Sequence, residues 1–358
     1  MELNFKIRYM KKIYLISFLV LSFSLFSQLD SLKNHPHFKK HLTWSDTFFG
    51  SEDMYQVCYP KDHRSMFYFI IIFSITTVVF GLLIIYIKHH SNKRLKEKNE
   101  IIAEQNKDLI DSINYSQRIQ QAILPDKKTE EIVLQNGFAL YKPKHIVSGD
   151  FYWLHKCDDM LFFAVIDCTG HGVPGALLTM LAYNAINKAV IEKEIMDPTA
   201  ILDSMNTDIK QALKQNKDNP IQDSMEVGIV SLNAKTNELK FAGANMSLTY
   251  IQNNELKIAN AGKCSVGSVQ EGDIVLPTTH TLKFNKEDSF YLYSDGYADQ
   301  FGGPKGKKYK YKQLEELLLL NHTKSSQEQK EILNSSIENW KGNLEQVDDI
   351  TIVGYTIV

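Results

Sequence analysis

Residues 161–176 read Leu-Phe-Phe-Ala-Val-Ile-Asp-Cys-Thr-Gly-His-Gly-Val-Pro-Gly-Ala. The run 161–166 is an apolar strand that ends in an acid, Asp167. Gly170, Gly172 and Gly175 permit a tight backbone turn, and Pro174 suits the first position of a helix. Further β-rich runs lie at 138–141, 151–154, 227–232, 239–242, 248–251, 289–293 and 350–358. Helical stretches fall at 175–194, 199–215, 311–320 and 326–340. Strands and helices are segregated and do not strictly alternate. That pattern predicts an α+β fold, a layered β-sandwich flanked by helices, over a doubly wound parallel sheet.

Three more acids stand at strand ends. Ser294-Asp295-Gly296 follows the run 289–293, Val347-Asp348-Asp349 precedes 350–358, and Val147-Ser148-Gly149-Asp150 opens 151–154. A single Asp beside glycine reads as a turn or cap residue. Four acids at the edges of four β-segments read as one rim. Carboxylates that converge repel one another unless a cation lies between them, so Mg²⁺ or Mn²⁺ is the natural occupant. Oxygen-only ligands give no preference for zinc or copper. Two such ions about 3.5–4 Å apart hold a bridging hydroxide and neutralise phosphate oxygens.

The 358 residues carry 40 Lys+Arg against 42 Asp+Glu, a balance that argues against a nucleic-acid binder working through a basic field. Four cysteines (Cys58, Cys157, Cys168, Cys264) form no C-x-x-C pair, which removes a disulfide framework and a zinc site. The N-terminal third is different in kind. An apolar run at 13–26 behind Lys6, Arg8, Lys11 and Lys12 marks 1–27 as a signal peptide or N-terminal anchor. Residues 28–65 are a short extracytoplasmic segment whose histidines (His35, His37, His41, His63) read as solvated loop residues. Residues 66–87 run without a charge and predict a transmembrane helix. Lys88, Lys93, Arg94, Lys96 and Lys98 follow it, against Lys61 and Arg64 before it. The positive-inside rule then places the rest of the chain in the cytoplasm, tethered to the inner (cytoplasmic) membrane.

Residues 88–125 predict a helical, coiled-coil stalk closed by Pro125. Leu95, Ile102, Leu109, Ser116 and Ile123 recur at heptad spacing, whereas the partner seam is Lys98, Gln105, Ser112 and Ile119. One apolar seam beside a polar one predicts a weak homodimer. The domain proper is 126–358.

Residues 113–358 resemble the SpoIIE-like serine phosphatases, within the metal-dependent type 2C (PPM-type) protein phosphatase superfamily. The resemblance lies in I-N-Y-S-Q-R-I-Q-Q-A-I-L-P (113–125), Y-K-P-K-H-I-V-S-G-D-F-Y-W (141–153), D-C-T-G-H-G-V-P-G-A (167–176), F-A-G-A-N (241–245), S-D-G-Y-A-D-Q-F-G-G (294–303), and W-K-G with Q-V-D-D-I (340–350). It implies a β-sandwich flanked by helices with two Mn²⁺ or Mg²⁺ ions at one end. On that pattern Asp167 would bridge both ions and the Cys168 carbonyl would supply one oxygen. Asp295 and Asp348 would hold one metal, and Asp150 would bind through water. The nucleophile would be metal-bound water, so no side-chain nucleophile is needed. His171 is the candidate acid for the leaving serine oxygen, four residues after Asp167 where many relatives place a histidine two residues after it. Asp223-Ser-Met-Glu226 stands where related sequences commonly read D-G-M-D, and Asp223 is read as a strand cap. No arginine lies close to the metal motifs, so phosphate capture would rest on the metals alone or with help from Lys142 or Lys144.

The resemblance implies a phosphorylated protein substrate, such as an anti-sigma-factor antagonist. The competing reading is a catalytically inactive partner-binding module on the same fold, against which the full set of acids speaks. D-C-T-G (167–170) also has a superficial likeness to the D-K-T-G phosphoaspartate signature of ion pumps, but the lysine and the pump helices are missing. The charge bias yields a direct test of topology. A phosphatase reporter that is active only in the periplasm should be silent when fused after Val358, and activity there would reverse the assigned orientation.

Overall fold

The structure is a computed structural model that describes residues 63–214, 223–268 and 277–358. The expected leader at 1–27 and nearly all of 28–65, with His35, His37, His41, Cys58 and the side chain of His63, lie outside the described residues. The chain divides into two units, Met1–Asn99 and Glu100–Val358. The described part of the first is helical and belongs to α1 (His63–Ile123). Its apolar side chains between Tyr68 and Tyr86 are mostly exposed, and the segment is long and apolar enough to cross a membrane. In the second unit α1 ends just ahead of Pro125. Its last turns bear a stripe of buried and half-buried residues, Ile113, Ser116, Gln117, Gln120 and Ile123, at the spacing of one helix face. A short helix, α2 (Lys127–Val133), follows, capped by the Asp126 side chain, which accepts from the Thr129 N–H at 2.7 Å.

Next in the chain come β1 (Gly137–Lys142), β2 (Asp150–Cys157), β3 (Met160–Cys168), α3 (Val173–Asn187), which runs on into the π-helical turn Lys188–Glu192, and α4 (Pro198–Ala212). After these lie β4 (Met225–Asn233), β5 (Glu238–Ala244), β6 (Leu248–Gln252), β7 (Glu255–Ala259), β8 (His280–Lys283) and β9 (Ser289–Tyr293). The chain closes with α5 (Gly296–Asp299), the hairpin β10 (Phe301–Gly302) and β11 (Lys307–Lys308), α6 (Tyr311–Asn321), α7 (Ser326–Lys341) and β12 (Ile350–Thr356). Two five-stranded sheets result, in the orders β2-β3-β4-β5-β8 and β1-β12-β9-β6-β7. Each pairing in them is antiparallel.

β3 shows why the run 161–166 is apolar at every position. Phe162, Ala164 and Ile166 pack with Leu178, Ala182 and Ile186 of α3 and with Ile201 and Met205 of α4. Leu161, Phe163 and Val165 face the other way, against Phe290, Leu292, Val353 and Tyr355 of the second sheet. The far side of that sheet, with Leu140, Tyr291 and Ile352, is covered by Leu314 and Leu318 of α6 and by Leu333 and Ile337 of α7. The layers are helices, sheet, sheet, helices, as the segregated pattern predicts. A strand covered on both faces loses the period-two alternation that a half-solvated strand shows. The sequence reading misses β7 and β8, which are five and four residues long and lie at sheet edges, and the two-residue strands of the β10–β11 hairpin. Phe163 is fully buried between the sheets, with ring centroids 5.2 Å from Phe290 and 5.1 Å from Tyr355. Phe163→Ala should cost about 3–5 kcal/mol of stability, read as a lower urea midpoint at unchanged slope.

Candidate metal centre

Antiparallel register brings the acids together. β2 pairs with β3 so that Asp150 lies opposite Asp167, and β3 pairs with β4 so that Asp167 lies opposite Glu226. Three acids thus stand in one row across three neighbouring strands. From the second sheet, Asp295 follows β9 and Asp348 and Asp349 precede β12, and these two strands are themselves paired. All six carboxylates line one cavity of about 200 Å³, with the Cys168–His171 turn as another wall. The structure brings together every residue expected at the site: Asp150, Asp167, Cys168, His171, Asp295 and Asp348.

Each has its own support. Asp150 is buried, and its Oδ2 accepts from the Ser294 hydroxyl at 2.5 Å. Ser294 Oγ in turn accepts from the Thr351 N–H at 3.0 Å, which ties β2, β9 and β12 at one point. Asp349 is spent on the main chain: its two oxygens accept from the Lys144 and Gly149 N–H groups, both at 2.7 Å. Asp348 Oδ1 accepts from the Asp349 N–H at 2.9 Å. Cys168 is buried in the core cluster and also lines the cavity. His171 is exposed at the rim, with its ring 4.9 Å from that of His145.

The turn after Asp167 closes on itself through missing side chains. A Cβ on Gly149 or on Gly175 would sit 2.3 Å from the Gly170 carbonyl oxygen, so three glycines let three backbone segments cross. Gly170 has φ 86°, in the left-handed region that favours glycine. Thr169 anchors the turn to the strand beyond, since its Oγ1 donates to the Ser224 carbonyl at 2.8 Å.

The electrostatics are those of negative charge under-compensated by the protein. Burial, opposed by the Ser294 hydroxyl and reinforced by Asp349, pushes the Asp150 carboxyl up to about 7. Burial and the nearby Asp150, Asp295, Glu226 and Asp348 push Asp167 up to about 10. Asp295 is raised by burial and by Asp348, and Glu226 by burial and by Asp295. No Lys or Arg is among the lining residues. Lys142 is committed elsewhere, to Asn334 at 2.7 Å and Glu338 at 2.8 Å, and Lys144 enters through its backbone alone. Neither lysine lines the cavity. Among the described residues no three His, Cys, Asp or Glu side chains are drawn tightly enough together to hold an ion as they stand. The donor set is nonetheless oxygen throughout and in need of positive charge, the chemistry a hard divalent cation fits.

Sequence reasoning missed three contributors. Glu226 belongs to the row of acids, and its signal was its place in Asp223-Ser-Met-Glu226, one residue into β4; Asp223 does not line the cavity. Ser294 and Asp349 were visible only as neighbours of other acids.

Fold and site together define a PP2C-type phosphatase domain. A family model described as "Stage II sporulation protein E (SpoIIE)" matches residues 158–357, and the chain belongs to that SpoIIE family of PPM-type protein phosphatases. Among solved structures, the SiaA-PP2C domain of Pseudomonas aeruginosa is 32% identical, with a TM-score of 0.65 over 71% of this chain and 98% of that one. The PP2C phosphatase domain of SpoIIE from Bacillus subtilis, solved with a fragment of its regulatory domain, is 15% identical, with a TM-score of 0.49 over 62% and 63% of the two chains. The RsbU and RsbW domains of Rv1364c from Mycobacterium tuberculosis give 18% identity and a TM-score of 0.48, over 62% of this chain and 59% of theirs. The curated proteins gave no match.

A raised carboxyl weakens the fold, and the sign sets a test. For an acid whose folded pKa lies above its unfolded value of about 4, stability is intact below that value and falls as pH rises towards the folded one. In metal-free protein, Asp167→Asn should therefore raise the melting temperature at pH 7–8, by about 2–4 °C per kcal/mol relieved. The gain should vanish near pH 4. Gly149→Ala should lower the melting temperature at both.

Proposed function

We propose that this chain is a membrane-tethered, metal-dependent protein serine/threonine phosphatase that hydrolyses phosphoserine or phosphothreonine on a cytoplasmic signalling protein. The observation that carries the reading is the row Asp150, Asp167, Glu226, faced by Asp295 and Asp348, in a cavity without a cationic side chain. The residues present fit two Mn²⁺ or Mg²⁺ ions. Asp167 would bridge them, the Cys168 carbonyl would add an oxygen, and Asp295 and Asp348 would hold one ion. Asp150, already engaged by Ser294, would act through water. Bound there, the ions would lower the pKa of water and neutralise phosphate oxygens. His171 lines the cavity and would hand a proton to the leaving serine or threonine oxygen.

Tethering is supported by the apolar part of α1, and the basic residues after 87 favour a cytoplasmic catalytic domain at the inner membrane. The exposed seam Leu95, Ile102 and Leu109 supports weak pairing with a second copy. The family resemblance points to a phosphorylated anti-sigma-factor antagonist as substrate.

The test is hydrolysis of a phosphoserine peptide by the full chain in detergent with Mn²⁺, Mg²⁺ or EDTA. Chelation should abolish turnover. Asp167→Asn should lower it by orders of magnitude, and Asp295→Asn and Asp348→Asn should inactivate with partial recovery at high Mn²⁺. Cys168→Ala should remain near wild type, because the proposed role uses its carbonyl alone. Full activity in Asp167→Asn, or none in a folded Cys168→Ala, would refute the assignment.

A further inference from the structure

The motif at 113–125 contains no acid and takes no part in the chemistry above, yet it delivers a buried polar side chain to the strand that carries Asp150. Gln120 is 5% exposed. Its Nε2 donates to the Ser148 carbonyl at 2.6 Å and to Thr179 Oγ1 at 3.1 Å, and its Oε1 accepts from the Ser148 N–H at 3.0 Å. A side-chain amide that pairs with both backbone groups of one residue stands in for a neighbouring strand and fixes that residue in place. Ser148 is itself fully buried, and its Oγ accepts from the Asp150 N–H at 3.0 Å. Thr179 lies on α3, the helix that leads out of the glycine turn, where its hydroxyl donates to the Ala176 carbonyl at 2.7 Å. Gln120 thus ties the segment that leads into Asp150 to the helix that leads out of the glycine turn.

We propose that Gln120 is a positioning residue for the acid centre: its amide sets the Ser148–Gly149–Asp150 backbone against α3 and so holds Asp150 where a metal ion needs it. The proposal rests on the reading of Asp150 as part of a metal centre. An apolar side chain of similar volume would fill the space but leave the buried Ser148 N–H and C=O without partners. Such groups reorient to recover hydrogen bonds, and Asp150 is two residues away.

The decisive measurement is calorimetric titration of the full chain, in detergent micelles, with Mn²⁺, with melting curves to confirm folding. Gln120→Met should weaken Mn²⁺ binding about tenfold or more, the range seen when groups that orient metal ligands are removed. The Mn²⁺ needed for half-maximal activity should rise by the same factor, while KM for a phosphoserine peptide at saturating Mn²⁺ stays unchanged. Gln120→Glu, which keeps the acceptor for the Ser148 N–H, should lose less. Gln121→Met, at the exposed neighbouring position, should lose nothing. Wild-type Mn²⁺ affinity in folded Gln120→Met overturns the proposal; if that variant does not fold, wild-type affinity in Gln120→Glu does so. Asp150→Asn separates the two levels. If it leaves Mn²⁺ binding intact, the metal reading of Asp150 fails; if it weakens binding while Gln120→Met does not, the positioning role alone fails.

Discussion

Mutual repulsion among buried carboxylates is the constraint around which the rest of this domain is arranged. Asp150, Asp167 and Glu226 do not choose their neighbours, because antiparallel register across β2, β3 and β4 sets them side by side. Left to themselves, these groups would separate or take up protons; burial first, and neighbouring carboxylates after it, push Asp150 and Asp167 upward in that direction. What prevents separation is the packing behind them. β3 is gripped on one face by α3 and α4 and on the other by the second sheet, so the strand end that carries Asp167 has nowhere to go.

The second sheet reaches the same cavity by a different route, and the joint between the sheets is polar. Ser294 gives a hydrogen bond to Asp150 and takes one from the Thr351 backbone, while Asp349 takes two from the loop that leads into β2. These contacts sit on the rim where the hydrophobic layers end. Hydrogen bonds to a charged group are short and directional in a way that apolar packing is not, and they set relative position more closely. The apolar core fixes which sheets meet; the polar rim fixes how their acids face. Six carboxylates at the site therefore have unequal tasks, with Asp349 holding backbone and Asp167 facing the cavity.

How much of this can be read from sequence follows from what each feature depends on. The strand–acid–glycine–helix passage at 161–176 is local, and its reading survives intact, as do the layered α+β architecture and the meeting of Asp150, Asp167, Asp295 and Asp348. Glu226 was missed as a member of the cluster because its position depends on the pairing of β3 with β4, which lie far apart in the chain. β7 and β8 are only five and four residues long, and the charged and polar residues interleaved in them leave too short an apolar pattern to stand out from loops. The contacts of Lys142 were illegible for a related reason: proximity in sequence to a motif says nothing about which way a long side chain turns, and its partner Glu338 lies far along the chain.

The turn that follows Asp167 shows the same division between side chain and main chain at its smallest scale. Cys168 sends its thiol into the core, where burial pushes it well above its ordinary value and leaves it inert as a nucleophile. The same residue also lines the cavity. For its backbone to come so close to Asp150, the chain at Gly149, Gly170 and Gly175 must pass without side chains, and a methyl group at two of these positions would strike the Gly170 carbonyl. An acid can be supplied by any strand end, but main chain brought this close to it needs the crossing. The glycines are therefore as much a part of the site as the carboxylates they bring within reach of one another.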